Sequence, residues 1–194
     1  AWFMAHRIRH ALKDDAFNGM LSGTVEVDEC VIGPKRKSKG PGSFGEKTTV
    51  CALVERATGT RRSVIVDRVT VKNLAQAVRE NVAAGSTVNT DSAKAFVKLG
   101  DDYRHKTVCH DQPRGRKEYH RVEPAGEVVT TNYAESSFSL LRRGVMGSFH
   151  HISRTHLPLY LAEFDFRWNH RKTTDSERMV AGLKKIVGKR LTYG

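Results

Sequence analysis

The stretch GTVEVDECVIG, residues 23–33, decides the fold because it is the most strand-like segment of the chain. The β-branched residues Val25, Val27, Val31 and Ile32 favour a β-strand, and a glycine bounds the segment on each side. Three carboxylates nevertheless lie inside it. Since ionised carboxylates are costly to bury without partners, the segment predicts ion pairs, an exposed edge strand, or a site that uses acidic oxygens.

Composition favours a basic, single-domain protein. The 194 residues contain 33 Lys and Arg against 21 Asp and Glu, which gives a formal net charge of +12 at pH 7. Such a charge favours a polyanionic partner, most often nucleic acid, although a solvated basic surface has the same composition. No apolar run reaches the roughly 18–20 residues of a membrane span. Three cysteines without CxxC spacing indicate a reducing cytoplasm and no zinc site within these residues.

Hydrophobic spacing predicts a mixed α/β chain, in which a β-meander is followed by alternating helices and strands and then by helices. The predicted strands are 24–32, 48–55, 61–69, 86–91 and 105–110, and the predicted helices are 2–14, 71–85, 92–100, 131–145, 154–170 and 175–189. Asp175 or Ser176 is the expected cap of the last helix. Residues 33–47 predict a flexible basic loop, and residues 111–126 a polar loop.

Side-chain alternation divides the acids of the opening strand between its two faces. Asp28 shares a face with Glu26, for which a supporting role beside Asp28 is considered. Glu29 shares the opposite face with the valines, where a structural ion pair is expected. Salt bridges to the abundant Lys and Arg residues would also account for these carboxylates.

Two further acids lie where functional residues often gather. Asp91 ends the strand 86–91, and Glu135 lies near the start of the helix 131–145. Each has a simpler interpretation, since Asp91 could cap the next helix and Glu135 could complement the helix dipole. Together with Asp28 they form a set of oxygen ligands suited to Mg²⁺ or Mn²⁺. Arg142 lies two turns after Glu135 and shares its helix face.

These motifs resemble the catalytic domain of bacterial insertion-sequence transposases of the DDE type, in the group whose full-length members begin with a zinc ribbon. The resemblance spans nearly the whole chain and includes GTVEVDECVIG, VNTDSAKAF, TNYAESSFSLLRRGVMGSFHHIS and HLPLYLAEFDFRWNHRK. It implies an RNase H-like α/β fold, with a mixed five-stranded sheet of order 3-2-1-4-5 flanked by helices and a helical C-terminal extension.

The resemblance also implies a site. The catalytic and metal-binding acids of the family correspond to Asp28, Asp91 and Glu135, with two Mg²⁺ or Mn²⁺ ions as cofactors. Asn132, one turn before Glu135, is an alternative third ligand, because the resemblance extends to relatives with Asn at the third position. The expected DNA-binding residues are basic side chains near the acids and in the glycine-rich loop, namely Arg142, Arg143, Lys35, Arg36, Lys37 and Lys39.

The implied organisation is a linker helix at 1–20 from a missing N-terminal DNA-binding region, a catalytic domain at 21–172 and a C-terminal extension at 173–194. The implied enzyme cleaves the ends of an insertion sequence and transfers them into target DNA, as a homodimer or larger assembly on double-stranded DNA in the bacterial cytoplasm, at the nucleoid. Two alternatives are an RNase H-like nuclease or resolvase without strand transfer, and an inactive DNA-binding protein derived from a transposase.

Overall fold

The computed structural model describes residues 1–13, 19–33, 47–91, 96, 99–100, 102–109 and 120–189. Its helices are α1 (Trp2–Ala11), α2 (Val71–Asn81), α3 (Asn132–Gly144), α4 (Leu157–Asn169) and α5 (Asp175–Lys184), and a π-helical turn (Val145–Phe149) continues α3. Its strands are β1 (Thr24–Ile32), β2 (Thr48–Glu55), β3 (Arg61–Val66), β4 (Thr87–Asp91), β5 (Arg104–Val108), β6 (Arg121–Val122) and β7 (Val128–Val129). None of the described helices has the length and apolar character that crossing a bilayer requires.

Five strands form one mixed sheet in the order β3-β2-β1-β4-β5. The first three strands pair antiparallel, as in a β-meander. Strand β4 pairs parallel to β1, and β5 pairs parallel to β4. This order and these directions confirm the predicted RNase H-like fold. The segment 23–33 is therefore the central strand, so the acids of β1 lie in the middle of the sheet.

The alternation of side chains along β1 produces two hydrophobic cores, one on each face of the sheet. Val25 and Val27 are buried on one face with α2, in the cluster Leu21, Val25, Val27, Cys51, Leu53, Val66, Leu74, Ala75, Ala77, Val78, Val82, Val88, Phe96, Leu99 and Tyr103. Cys30 and Ile32 are buried on the other face with α3 and α4, in the cluster Cys30, Ile32, Val50, Ala52, Phe138, Leu141, Ile152, Leu157, Tyr160, Leu161 and Phe164. We call these the α2-side core and the α3-side core.

Helix α4 covers the edge of the sheet at β3. Asp165 Oδ2 accepts a hydrogen bond of 2.8 Å from the backbone amide of Ser63, and Asn169 Oδ1 accepts one of 2.7 Å from that of Arg61. Asn169 Nδ2 also donates to the carbonyl of Arg61 at 3.1 Å. Side chains of α4 therefore occupy the outward backbone groups that an edge strand otherwise leaves unpaired.

Several element boundaries differ from those predicted. Helix α2 ends at Asn81 because Val82 is extended, with φ −121° and ψ 130°, and forms a parallel bridge to Leu21. Thr174, rather than Asp175 or Ser176, caps α5, since its hydroxyl accepts from the Glu177 amide in a capping box. The predicted loop 111–126 contains, in its described part, the start of a small β6–β7 hairpin.

Other predictions about organisation are not tested by the fold. Most of the predicted short helix 92–100 lies outside the described residues. The division into segments 1–20, 21–172 and 173–194 stays a prediction. Within the described part, α1 packs on α4 through an ion pair between Arg9 Nε and Glu163 Oε2, 2.7 Å apart.

Candidate active site

Asp28 and Asp91 lie on neighbouring strands at equivalent positions. The parallel pairing of β1 with β4 places Glu26 opposite Asn89, and each aspartate follows two residues later on its own strand. Because residues two apart share a face, both aspartates point to the α3 side of the sheet. Each is half-buried. The sheet register therefore brings together two acids that are 63 positions apart in the sequence.

Glu135 comes to this region on α3. The buried stripe Ala134, Phe138 and Leu141 packs the helix on the α3-side core and leaves Glu135 half-buried at its first turn. Glu135 Oε1 accepts a hydrogen bond of 2.9 Å from the hydroxyl of Thr131, the N-cap residue. The carboxylate is therefore held toward the start of its own helix.

The electrostatics of Asp28 link the three acids. Burial is the main reason that the pKa of Asp28 is raised to about 6. The backbone amide of Glu29 donates a hydrogen bond to the carboxylate and partly offsets this rise. The negative charges of Asp91 and Glu135 raise this pKa further, and the guanidinium of Arg142 lowers it. A carboxyl group with two carboxylate neighbours and one cation is the kind of site that a divalent ion would stabilise.

The carboxylates of Asp28, Asp91 and Glu135 do not converge closely enough to bind one metal ion together. Among the described residues, no three His, Cys, Asp or Glu side chains are grouped so that they could hold a metal ion together. Mg²⁺ usually takes one or two protein carboxylates and completes its shell with water and phosphate, so a shared triad is not required for each ion. The donor set fits hard cations chemically, provided that Glu135 turns away from Thr131.

The other predicted residues have different surroundings. Arg142 and Arg143 are exposed on the last turn of α3, and Arg142 is the one that acts on Asp28. Asn132 is exposed at the first position of α3. Lys35, Arg36, Lys37 and Lys39 lie outside the described residues. A π-helical turn follows the two arginines directly, and such turns are frequent at functional sites.

Sequence reasoning undervalued Glu26 and Asn89, which lie side by side beneath the aspartates. Both are fully buried, and both amide atoms of Asn89 lack a hydrogen-bond partner. Burial raises the pKa of Glu26 to about 7, although two backbone amides and Arg56 lower it. The sequence did indicate that Glu26 belongs near the site, because side chains alternate along a strand and Glu26, two residues before Asp28, must share its face.

The prediction that Glu29 forms a structural ion pair is wrong, since Glu29 has no ion pair with any of the described residues. Glu29 is half-buried, and its Oε2 has no hydrogen-bond partner there. Burial, followed by the charges of Asp91 and Asp28, raises the pKa of Glu29 to about 7. The acidic region therefore extends through the sheet to the opposite face.

A cavity of about 590 Å³ lies beside β3 and is lined by residues such as Arg62, Ser63 and Asp165. It contains none of the three candidate acids, so this cavity is separate from the candidate site.

Comparison with solved structures finds viral integrases. A chain of the simian T-cell lymphotropic virus intasome, solved in complex with PP2A regulatory subunit B56 gamma, is 15% identical over 90% of this chain and 58% of that chain, with a TM-score of 0.44. The catalytic core domain of BIV integrase is 12% identical over 82% of this chain and 99% of its own, with a TM-score of 0.44. The HTLV-2 integrase catalytic core domain in complex with magnesium is 11% identical over 78% and 97%, with a TM-score of 0.41.

The family assignment comes from the sequence itself. No curated protein matches the chain. The family model described as the ISXO2-like transposase domain matches residues 20–169, which is well over half of the chain. This match covers β1, β4 and α3, the elements that carry Asp28, Asp91 and Glu135. The chain therefore belongs to the ISXO2-like transposase domain family.

Proposed function

We propose that this chain is the catalytic domain of an insertion-sequence transposase, which cuts DNA at the ends of its element and joins those ends to target DNA. The observation that carries the proposal is the placement of Asp28 and Asp91 on one face of adjacent strands, in a transposase-family domain whose helix α3 carries Glu135. The negative charges of Asp91 and Glu135 both raise the pKa of Asp28, which agrees with this placement. Phosphodiester chemistry on a basic protein accounts both for acids in the central strand and for a net charge of +12.

Asp28, Asp91 and Glu135 are the residues that would hold two Mg²⁺ or Mn²⁺ ions. Such ions activate an attacking oxygen and offset the charge that develops on the leaving oxygen. The sheet fixes Asp28 and Asp91 on adjacent strands, so these two need little rearrangement. Glu135 has to exchange its hydrogen bond with Thr131 for the cation, and Asn132 remains an alternative donor beside it.

The proposed reaction has two steps of the same kind. In cleavage, the oxygen of a water bonds to phosphorus, the bond from phosphorus to the 3′ oxygen breaks, and that oxygen takes a proton. In strand transfer, the new 3′ hydroxyl attacks a target phosphodiester, and the target strand leaves with its own 3′ hydroxyl. No covalent bond to the protein forms in either step.

Basic residues would hold the double-stranded DNA. Arg142 and Arg143 are exposed on the last turn of α3, and the charge of Arg142 acts on Asp28. Both would contact phosphates near the reacting bond. The loop residues Lys35, Arg36, Lys37 and Lys39 are proposed to contact the backbone further away. Because a transposition event joins two ends, we also propose that the protein acts as a homodimer or a larger assembly.

The test is a strand-transfer assay with Mg²⁺ and a plasmid that carries the ends of the element. Asp28→Asn and Asp91→Asn should each lower the rate at least about 100-fold, the scale of losing a group that stabilises developing charge. Asp67→Asn is the matched control, because Asp67 is an exposed aspartate whose ion pair is with Arg154 and not with a residue of the candidate site. Full activity in both site variants, or activity that survives a chelator, would exclude the proposed site.

The products of the same assay separate the two alternative functions. A hydrolytic nuclease would give cut DNA without joined molecules, and its cutting would still require Asp28 and Asp91. An inactive DNA-binding protein would retain DNA without changing it, and calorimetry would detect no Mn²⁺ binding.

A further inference from the structure

The carboxylate of Glu26 caps the helix that carries Glu135. Glu26 Oε2 accepts hydrogen bonds from the backbone amides of Tyr133, at 2.7 Å, and Ala134, at 3.3 Å. These amides belong to the first turn of α3, where no earlier carbonyl can accept from them. The N-cap residue Thr131 makes no side-chain capping bond to the backbone, so a residue of β1 performs that role.

The same carboxylate connects α3 to the rest of the sheet. Arg56 Nε lies 3.5 Å from Glu26 Oε1, and Arg56 Nη1 donates a hydrogen bond of 2.5 Å to the carbonyl of Val128 in β7. The chain passes directly from β7 into α3, so Arg56 fixes the approach to the helix. Glu26 is fully buried. Its Oε2 accepts from the two helix amides, whereas its Oε1 has the guanidinium of Arg56 nearby but no hydrogen-bond partner.

We propose that Glu26 is a positioning residue, which fixes α3, and therefore Glu135, relative to Asp28 and so sets the geometry of the metal site. Both acids lie very close along the chain to the residues that Glu26 connects. Asp28 is two residues after Glu26 on the same face of β1, and Glu135 is one residue after Ala134 in α3. One rigid carboxylate therefore joins the two backbones within two residues of an acid on each side.

The length and the charge of Glu26 should both matter. Glu26→Asp keeps the charge but draws the carboxylate back by one methylene, so it cannot reach both amides without moving α3. Glu26→Gln keeps the length and one acceptor oxygen but loses the charge that favours a helix N-terminus. We expect Glu26→Asp to disturb the site more than Glu26→Gln, a ranking that depends on reach rather than on charge.

This inference rests on the proposed function, because its readout is the binding of Mn²⁺ as a metal probe. Calorimetry with Mn²⁺ should show affinity at least ten-fold weaker in Glu26→Asp than in the wild type, at a temperature where both are folded by circular dichroism. Hydrogen exchange in the metal-free protein should be faster at Tyr133 and Ala134. Leu74→Ala is the control, since it removes a buried side chain from the α2-side core and does not touch α3.

The outcomes separate this inference from the proposed function. If the wild type does not bind Mn²⁺, the proposed metal site is wrong. If the wild type binds Mn²⁺ and folded Glu26→Asp binds it equally well, the positioning role is wrong. Unchanged exchange at Tyr133 and Ala134 would also overturn it. If Glu26→Asp does not fold, Glu26→Gln is compared with Leu74→Ala in the same way, and equal affinities in those two variants would overturn the proposal.

Discussion

The hydroxyl of Thr131 donates a hydrogen bond of 2.9 Å to Glu135 Oε1 across the first turn of α3. Thr131 is fully buried, so this bond is shielded from water. In the metal-free protein it holds the carboxylate of Glu135 at its own helix start, while Asp28 and Asp91 lie on the same face of adjacent strands. The hydroxyl of Thr131 therefore competes with any cation for the carboxylate of Glu135.

Removing that competition should tighten metal binding. Thr131→Val keeps the side-chain shape but removes the donor, and a hydrogen bond to a charged group contributes about 1.5–3 kcal/mol. We expect Mn²⁺ to bind about ten-fold more tightly, measured by calorimetry. Ser139→Ala is the control, since its hydroxyl donates to the backbone carbonyl of Glu135 rather than to the carboxylate. Weaker binding in Thr131→Val would mean that Thr131 orients Glu135 for the ion.

Gly144 should be required for the close approach of α3 to α4. A Cβ atom at this position would lie 2.4 Å from Cζ of Phe164, whose ring is buried and packs edge-on against Phe149. Alanine favours a helix over glycine by about 1 kcal/mol, whereas overpacking a core costs about 1–3 kcal/mol. We expect Gly144→Ala to lower the free energy of unfolding by up to about 2 kcal/mol in urea titrations.

Gly147 provides the matched control for Gly144. It lies three residues later in the π-helical turn, and a Cβ atom there would meet no atom within 4 Å. Gly147→Ala should therefore leave the free energy of unfolding unchanged or raise it slightly. An equal loss in both variants would indicate a backbone effect of the π-helical turn rather than contact with Phe164.

Asp165 should contribute much more to stability than an exposed aspartate does. Its Oδ1 lies 3.3 Å from Nε of Arg61, a side chain with no exposed surface, and its carboxylate also accepts from Ser63. Asp165→Ala leaves the buried guanidinium without this partner, and we expect a loss of about 3–5 kcal/mol in the free energy of unfolding. Asp67→Ala breaks an exposed pair with Arg154 and should cost at most about 1 kcal/mol. If Asp165→Ala and Asp67→Ala unfold at similar urea concentrations, the buried guanidinium of Arg61 does not depend on Asp165 for its stability.

Arg142 should contribute one phosphate contact to DNA binding. If it neutralises one phosphate, Arg142→Ala should reduce the slope of log K against log salt concentration by about 0.9. Fluorescence anisotropy with labelled duplex DNA over a salt series measures this slope. Arg79→Ala is the control, because Arg79 lies on α2 and is ion-paired with Asp102 at 2.6 Å. An unchanged slope in Arg142→Ala would place the DNA away from the acids.

Much of the fold could be predicted from the sequence because several elements show their burial in the spacing of their apolar residues. Helices α2 and α3 bury a stripe at helical spacing, whereas β2 is buried on both faces. Helix α5 has no buried residue, so burial does not account for its prediction. The strands β6 and β7 could not be found this way, since two residues do not define a period. Similarly, the end of α2 depends on a bridge between Val82 and Leu21, which are far apart in the sequence.

The sequence was sufficient to propose the acids of the candidate site, but not to predict the contacts that position them. Asp28, Asp91 and Glu135 could be singled out by their positions on a strand, a strand end and a helix start. The capping of α3 by Glu26 could not, because it joins residues 107 positions apart and replaces a local cap. The unpartnered Oε2 of Glu29 was also unexpected in a chain so rich in Lys and Arg.

The protection of β3 by α4 has a consequence for self-association. Asp165 and Asn169 already satisfy the backbone amides of Ser63 and Arg61, so a strand from another molecule cannot pair with these groups while α4 is in place. Addition of strands from other molecules at this edge would first require α4 to dissociate from β3, which would expose the α3-side core. Helix α4 therefore protects the β3 edge from aggregation. Conditions that unfold or detach α4 should be those under which the protein begins to precipitate.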